Sequence, residues 1–347
     1  MTSTPPPAPL QDVIAALAHD RPLTQDGITA AFDVVMRGDA SPVQISALLT
    51  GLRVRGETAD IVAGAAGALR RAMVRLPLPD CDGIVDTCGT GGGSVGTFNI
   101  STAAALVAAG AGVRIAKHGN RSFTSKSGSA DVLEALGVNI DVDVDAMHRA
   151  YSAAGIVFMF APRMHPAMRH VGPVRRELGV PTVMNIIGPL ANPASVGRQV
   201  IGVADAGRAV VIAQALAALG TVHSLVVHGE PGMDEISPLG PTRILEVRGS
   251  AVTEWSTDPD SIRTGVARAS ELAGGTPAEN AELVRACLDG SGPTGAIAAV
   301  LANAGAAVYV AGAAKSLEQG VQIAKTAIAN GSATAALERL RRALPRS

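Results

Sequence analysis

Residues 84–136, IVDTCGTGGGSVGTFNISTAAALVAAGAGVRIAKHGNRSFTSKSGSADVLEAL, set a glycine-rich turn between a short apolar run and a long alanine-rich segment. Ile84 and Val85 read as a buried strand that ends at Asp86. Gly89, Gly91, Gly92, Gly93 and Gly96 follow, and Asn99, Ser101 and Thr102 then stand before an Ala/Leu/Val helix. Ser101 or Thr102 is suited to cap that helix, because a hydroxyl accepts from first-turn N–H groups that have no partner within the helix. Glycines lack Cβ, so successive backbone N–H groups can turn inward onto a ligand, and the helix N-terminus adds partial positive charge. A strand, such a loop and a helix in that order form a site for an anion, phosphate foremost.

The second half of the stretch adds fixed charge. Residues 113–116 read as another strand, which delivers Lys117, His118, Asn120 and Arg121 around Gly119. Ser122, Thr124, Ser125, Ser127 and Ser129, with Lys126 among them, precede a helix over 131–136. Cations and many hydroxyl donors together suit a ligand with more than one phosphate.

Two common phosphate loops do not account for this pattern. Gly91, Gly93 and Gly96 form a GxGxxG, but a dinucleotide site wants an acidic residue about twenty positions on for the ribose hydroxyls, and this chain has Lys117 and His118 there. A Walker loop needs Gly-Lys before Ser or Thr, whereas Gly96 is followed by Thr97.

The remainder divides by periodicity. Residues 1–9 form a proline-rich, disordered lead without the charged start and apolar centre of a signal peptide. Residues 10–76 repeat apolar positions at three and four, a small helical bundle punctuated by turns such as RGDASP, and Pro77 and Pro79 mark its end. The segment QISALLTGLRVRGE reads there as a core helix with a charged tip. Beyond residue 80 apolar strands alternate with helices, the signature of a mainly parallel sheet covered on both faces. Strands are expected at 156–160, 199–203 and 224–227, an edge piece at 139–144, and a β-rich excursion over 243–247 and 251–255. Helices are expected at 146–154, 208–219, 280–288, 295–311 and 317–330, with a basic helical run after Met164 that packs back on the bundle as a hinge. The fold class is thus α/β: a small N-terminal helical domain (10–76, joined by helices near 166–190) plus a larger α/β domain (80–165 and 191–347) with a central, mainly parallel sheet.

Composition limits the partners. At 347 residues with 47% hydrophobic side chains the chain can bury a large core, and its net charge of −1 lacks the basic surplus that nucleic acid or an anionic membrane calls for. One Trp, two Tyr and five Phe are too few for a base-stacking platform. Cys81, Cys88 and Cys287 have no metal-site spacing and leave an odd count for disulfides, which points to a reducing cytoplasm.

GTGGG, NIST, KHGNRS and SKSGSADVLEALG, taken together, closely resemble the anthranilate phosphoribosyltransferases of tryptophan biosynthesis. The resemblance runs from the helical bundle through GEPGMDEISP. It implies transfer of the phosphoribosyl group of 5-phosphoribosyl 1-pyrophosphate (PRPP) to the amine of anthranilate, the second step from chorismate, in a Mg²⁺-dependent homodimer that associates through the helical domain. It implies that PRPP is held by Gly89, Thr90, Gly91, Gly92 and Gly93, by Thr97, Asn99, Ile100, Ser101 and Thr102, and by a second loop. That loop comprises Lys117, His118, Gly119, Asn120, Arg121, Ser122, Phe123, Thr124, Ser125 and Ser129, with Lys117 and Arg121 closing over the phosphoribosyl part. Asp234 and Glu235, an acidic pair whose bland reading is a solvated turn, become metal contacts with the Ser101 hydroxyl. Gly89, Asn120 and Arg175 would contact anthranilate, Arg175 through its carboxylate, while Arg176 is the bystander. His118 and His165 are secondary contacts, although lone histidines are more often structural. The aryl amine is neutral at pH 7, so no general base is assigned.

The chain departs from the usual pattern at Gly93, where an acid is common, at Pro181, where arginine is frequent, and at Met164, where an aromatic is frequent. With one carboxylate fewer, a single Mg²⁺ is expected. A pyrimidine nucleoside phosphorylase would carry a KxSGR-type loop in place of KHGNRS. A non-catalytic or altered-substrate paralogue, including one that binds nucleic acid, is disfavoured by the neutral charge and by the presence of Asp234, Glu235 and Arg175.

Overall fold

The computed structural model describes residues 9–79, 83–122 and 126–346. Four helices come first: α1 Pro9–Ala18, α2 Gln25–Arg37, α3 Pro42–Arg55 and α4 Ala59–Ala72. Their boundaries are built from local chemistry. Thr24 caps α2 by accepting from the Gly27 N–H, and Gly38 ends it with φ 83°. Ser41 and Gln44 form a capping box before α3, with Pro42 in the first turn, so the RGDASP punctuation acts as a helix stop followed by a helix start.

The chain then runs β1 Val85–Gly89, α5 Ile100–Gly110, β2 Ile115–Gly119, α6 Ser129–Ala135, α7 Val144–Ala154, β3 Ile156–Phe160, α8 Ala161–Met164 and α9 Gly172–Leu178. It continues with β4 Arg198–Gly202, α10 Ala206–Ala218, β5 His223–Gly229, β6 Thr242–Arg248 and β7 Ala251–Thr257. Four helices close it: α11 Pro277–Asp289, α12 Thr294–Val310, α13 Leu317–Ala329 and α14 Ser332–Ala343. The last of these was not anticipated, because its charged residues mask a short apolar stripe of Ala333, Ala336, Leu337 and Leu340.

The sheet order is β3-β2-β1-β4-β5-β6-β7. From β3 to β5 every pairing is parallel, and β6 and β7 add antiparallel strands at one edge. Strand faces alternate: Val200 and Val227 enter one core with α5 and α11–α14, whereas Ile201 and Val226 enter another with α10 and the N-terminal bundle. Ala167, Val171, Val174, Val183 and Met184, from the basic segment after Met164, belong to the bundle-side core.

Two local expectations change. β1 does not stop at Asp86 but continues to Gly89, because Thr87, Cys88 and Gly89 pair in register with Val200, Ile201 and Gly202 of β4. No strand forms over 139–144. Only an isolated bridge joins Val138 to Pro345, and the Asn139 N–H donates to the Leu344 carbonyl at 2.9 Å.

No single helix among the described residues is long and apolar enough to cross a membrane; α11 and α12 qualify only as a pair, and they are bent by 74°. The order of the parallel strands reverses between β1 and β4. In doubly wound sheets ligands settle at such a switch point, beyond the carboxyl ends of the strands. Here four of those ends are glycines, Gly89, Gly119, Gly202 and Gly229, which leaves the crevice open to backbone approach.

Candidate active site

The glycine loop leaves β1 and is laced to two other segments. The Thr90 N–H donates to Gly202 at 2.9 Å, Ser94 N–H to Gly232 at 3.0 Å, and Gly91 N–H to Asp234 Oδ2 at 2.9 Å. Asp234 is wedged between strand ends: a Cβ at Gly89 would lie 2.6 Å from its Oδ2, and one at Gly202 would overlap its carbonyl. Both positions therefore require glycine for close approach. A Cβ at Gly93 would sit 3.3 Å from Asp234 Oδ1, so an acid there would enter this same crowded corner.

Glu235 turns the other way, accepting the Ser101 N–H at 3.1 Å. This corrects the capping expectation. The chain is already helical at Ile100, Asn99 is the N-cap without a side-chain cap bond, and Ser101 and Thr102 lie inside α5. The orphan N–H of the first turn is satisfied by Glu235 from another part of the chain. Ile100 is buried in the core and Thr102 Oγ1 is enclosed without a partner, so their side chains do not line an open site.

Lys117, 3% exposed, donates from Nζ to the Thr87 carbonyl and lies 3.3 Å from Ser101 Oγ. Burial lowers its pKa, against the pull of Asp86 and Glu235. Burial raises Asp234, and Glu235 is pushed up to about 8 by burial and by the Asp234 charge, opposed by Lys117 and the Ser101 N–H. Two buried carboxylates, one of them raised by the charge of the other, are short of positive charge. Among the described residues no group of three or more His, Cys, Asp or Glu side chains could hold a metal, so a cation here would take only part of its shell from protein. Mg²⁺ fits that donor set, since it keeps waters and phosphate oxygens beside one or two carboxylates.

Asp86 and Asn192, not singled out from the sequence, support this end of the sheet. Asp86 is fully buried; its Oδ1 accepts the His118 N–H at 3.1 Å and its Oδ2 the Asn192 amide at 2.8 Å. The only sequence signal was a charged residue at the end of a short apolar run.

The second loop folds onto α6. Asn120 Oδ1 accepts the Arg121 N–H at 2.8 Å, and Ser129 Oγ donates to the Asn120 carbonyl at 3.3 Å. Asp131 Oδ2 gathers the N–H groups of Ser122 at 3.2 Å and Gly128 at 2.9 Å. Arg121, expected to close over the phosphoribosyl part, is turned onto α6 instead: its guanidinium pairs with Asp131 at 2.9 Å and Glu134 at 2.5 Å. The expected contacts Phe123, Thr124 and Ser125 lie outside the described residues. Asn99 ties this loop to the first, donating to the Ser127 carbonyl at 3.1 Å and accepting from Asn280 at 2.9 Å. Thr97 is bridged to Ala273.

Beside these loops opens a cavity of about 640 Å³, lined by Gly89, His118, Asn120, His165 and Arg175 together. Met168, Met184, Ile187 and Pro162 supply apolar walls, and Arg169 and Arg176 join Arg175 in the lining. The walls and Arg169 were not foreseen, because the residues scatter over segments with no shared motif. Arg175 is half-buried without an ion-pair partner among the described residues, and burial lowers its pKa. The His118 and His165 rings stand 4.8 Å apart at 56°. Burial holds His165 down to about 4; burial, His165 and Lys117 hold His118 well below its ordinary value, so both imidazoles are neutral at pH 7.

Comparison with known proteins finds relatives over nearly the whole chain. The family described as "Glycosyl transferase family, a/b domain" matches residues 81–334, and "Glycosyl transferase family, helical bundle domain" matches residues 11–73. The chain is 48% identical over 330 residues to the anthranilate phosphoribosyltransferase of Rubrobacter xylanophilus, covering 95% of this chain and 96% of that protein. It is 47% identical over 334 residues to that of Herpetosiphon aurantiacus, covering 95% and 98%. Among solved structures, anthranilate phosphoribosyltransferase from Thermus thermophilus superposes with a TM-score of 0.90 at 40% identity, covering 96% and 99%. The Saccharomyces cerevisiae enzyme in complex with PRPP and Mg gives 0.87 at 28% identity, covering 96% and 97%. The same enzyme in complex with 4-fluoroanthranilate gives 0.85 at 28%, with equal coverage.

Proposed function

The chain belongs to the anthranilate phosphoribosyltransferase family, and from that premise we propose how its residues divide the work. The protein transfers the 5-phosphoribosyl group of PRPP to the amine of anthranilate, giving N-(5-phosphoribosyl)anthranilate and pyrophosphate in tryptophan biosynthesis, with Mg²⁺ as cofactor. The observation that carries the division is the position of Gly89, which lines the 640 Å³ cavity and also packs against Asp234. The diphosphate corner and the acceptor cavity therefore meet at one backbone position.

Asp234, Glu235 and the Ser101 hydroxyl would hold Mg²⁺, which supplies positive charge to the leaving pyrophosphate when bound. Gly89 through Gly93 offer backbone N–H groups to the diphosphate, with Lys117 behind them and Asn120 and Ser122 at the phosphoribosyl side. Arg175 is free to pair with the anthranilate carboxylate in a bidentate fork. Neutral His118 and His165 face the ring in the apolar part of the cavity with Met168 and Met184.

Held so, the amine approaches C1 of the ribosyl unit as the C1–O bond to pyrophosphate breaks and the C1–N bond forms, and the proton that the nitrogen then sheds passes to the departing pyrophosphate or to water. Its lone pair is already available at pH 7, so the residues act by positioning and by neutralising charge rather than by removing a proton before attack. Gly93 leaves two carboxylates at the corner, which favours a single Mg²⁺.

On the same reading the protein works in the cytoplasm, in keeping with the free thiols Cys88 and Cys287. Its homodimer contact runs along α3, where Val43 is 78% and Val54 83% exposed on one stripe with Ala47 and Thr50. The test follows anthranilate fluorescence with PRPP and Mg²⁺ while pyrophosphate is assayed. Equimolar loss of anthranilate and gain of pyrophosphate is expected; a folded protein that consumes neither across a range of Mg²⁺ would overturn the assignment.

A further inference from the structure

Helix α12 is buried along nearly its whole length, and Asn303 is the one amide side chain within it. Asn303 is 2% exposed. An amide in such a place is costly unless every polar atom finds a partner. Its Oδ1 accepts the Ile236 N–H at 2.9 Å, and its Nδ2 donates to the Ile236 carbonyl at 3.1 Å and to the Ala299 carbonyl at 2.9 Å. The side chain thus pairs with both main-chain polar groups of Ile236, as the backbone of a neighbouring strand would.

Ile236 directly follows Glu235. On the other side of the acidic pair, Met233 exchanges main-chain hydrogen bonds with Gly229 at the end of β5, at 2.7 and 3.0 Å. Asp234 and Glu235 therefore stand on a short span pinned at both ends, by β5 at Met233 and by Asn303 at Ile236. Their carboxylates diverge from that span to the Gly91 and Ser101 N–H groups. A displacement of the Ile236 anchor changes the separation of the two carboxylates, while the acceptor cavity has none of these residues in its lining.

We propose that Asn303 is a positioning residue for the metal corner: its side-chain amide holds the main chain at Ile236 and thereby sets the spacing of the Asp234 and Glu235 carboxylates for a divalent cation. This rests on the reading that those two carboxylates bind the metal.

The experiment measures Mn²⁺ binding, with free ion read by electron paramagnetic resonance, to the full-length protein and to Asn303→Leu, which fills the space and removes every hydrogen bond. Asn303→Asp, which keeps an acceptor for the Ile236 N–H and loses both donors, serves if the leucine variant does not fold by circular dichroism. Val308→Ala, in the same helix and also buried, controls for lost stability, and Glu235→Gln tests the metal site itself. The expected result is a Kd for Mn²⁺ raised about tenfold or more in the Asn303 variant, as when the partners of metal ligands are removed, with the KM for anthranilate within about twofold. Val308→Ala lowers the melting temperature without moving that Kd. A folded Asn303 variant with the wild-type Kd, or an equal weakening in Val308→Ala, overturns the proposal while Glu235→Gln still shows lost binding. Wild-type binding by Glu235→Gln overturns the metal reading itself, and the proposal with it.

Discussion

The backbone N–H of Ser101 donates to Glu235 Oε1 at 3.1 Å, between residues 134 positions apart in the chain. One carboxylate thus completes the first turn of α5 and stands at the proposed metal corner, so the helix N-terminus, the glycine loop and the acidic pair are one structural unit.

Glu235→Gln keeps the shape and the acceptor for the Ser101 N–H but removes the charge that the carboxylate carries when a cation is bound. The expected outcome is a loss of kcat/KM of at least about 100-fold at fixed Mg²⁺, because charge on the leaving pyrophosphate is then less well neutralised. Steady-state kinetics over a Mg²⁺ range, with circular dichroism to confirm folding, would measure it; near wild-type activity would remove Glu235 from the metal set.

Gly89→Ala places a methyl 2.6 Å from Asp234 Oδ2, at the border between the diphosphate corner and the acceptor cavity. Asp234 must shift, and a misplacement of about 1 Å in a positioning group costs on the order of 100-fold in rate. Both substrates should be affected, and separate KM determinations for PRPP and anthranilate would show whether they are.

Arg175→Ala removes the half-buried guanidinium in the cavity that has no ion-pair partner among the described residues. Loss of a charge-assisted bond worth about 1.5–3 kcal/mol raises the KM for anthranilate by roughly 10- to 100-fold. The KM for PRPP should stay within a few-fold. A variant impaired only in PRPP binding would place the carboxylate elsewhere.

His165 predicts a pH dependence of stability. Its pKa falls from the ordinary 6.5 to about 4 because burial disfavours the imidazolium. The unfolded chain therefore takes up a proton below about pH 6.5 that the folded chain refuses until about pH 4, and stability falls across that window. The loss is on the order of 3 kcal/mol when complete, and His118 acts in the same direction. In urea unfolding at pH 7, 5.5 and 4.5, His165→Leu should flatten the slope; an unchanged slope would mean that other groups carry it.

Much of this was legible locally. The GTGGG turn, the NIST helix start and the KHGNRS loop are contiguous motifs, so residue type and spacing are enough to mark them, and alternating apolar runs mark the strands that carry them. Element ends were less legible. β1 reaches Gly89 because β4 lies beside it, and Thr87 with Cys88 is too short a run past the charged Asp86 to mark the strand without that neighbour. Arg121 looked free for a ligand, but its partners Asp131 and Glu134 lie on α6, which folds back against it.

Hydrophobic period, glycine placement and capping chemistry act over a few residues, and so the chain's own order of letters determined the α/β alternation, the anion loop and the types of side chain at hand. Which of those side chains meet depends on strand order. Because β1 lies between β2 and β4, with β5 next to β4, Asp234 comes to rest on Gly89 and Gly202, Glu235 on the start of α5, and Asn303 behind both. Those contacts join segments separated by tens to more than a hundred residues, and no local pattern encodes a hydrogen bond that exists only once the sheet has assembled.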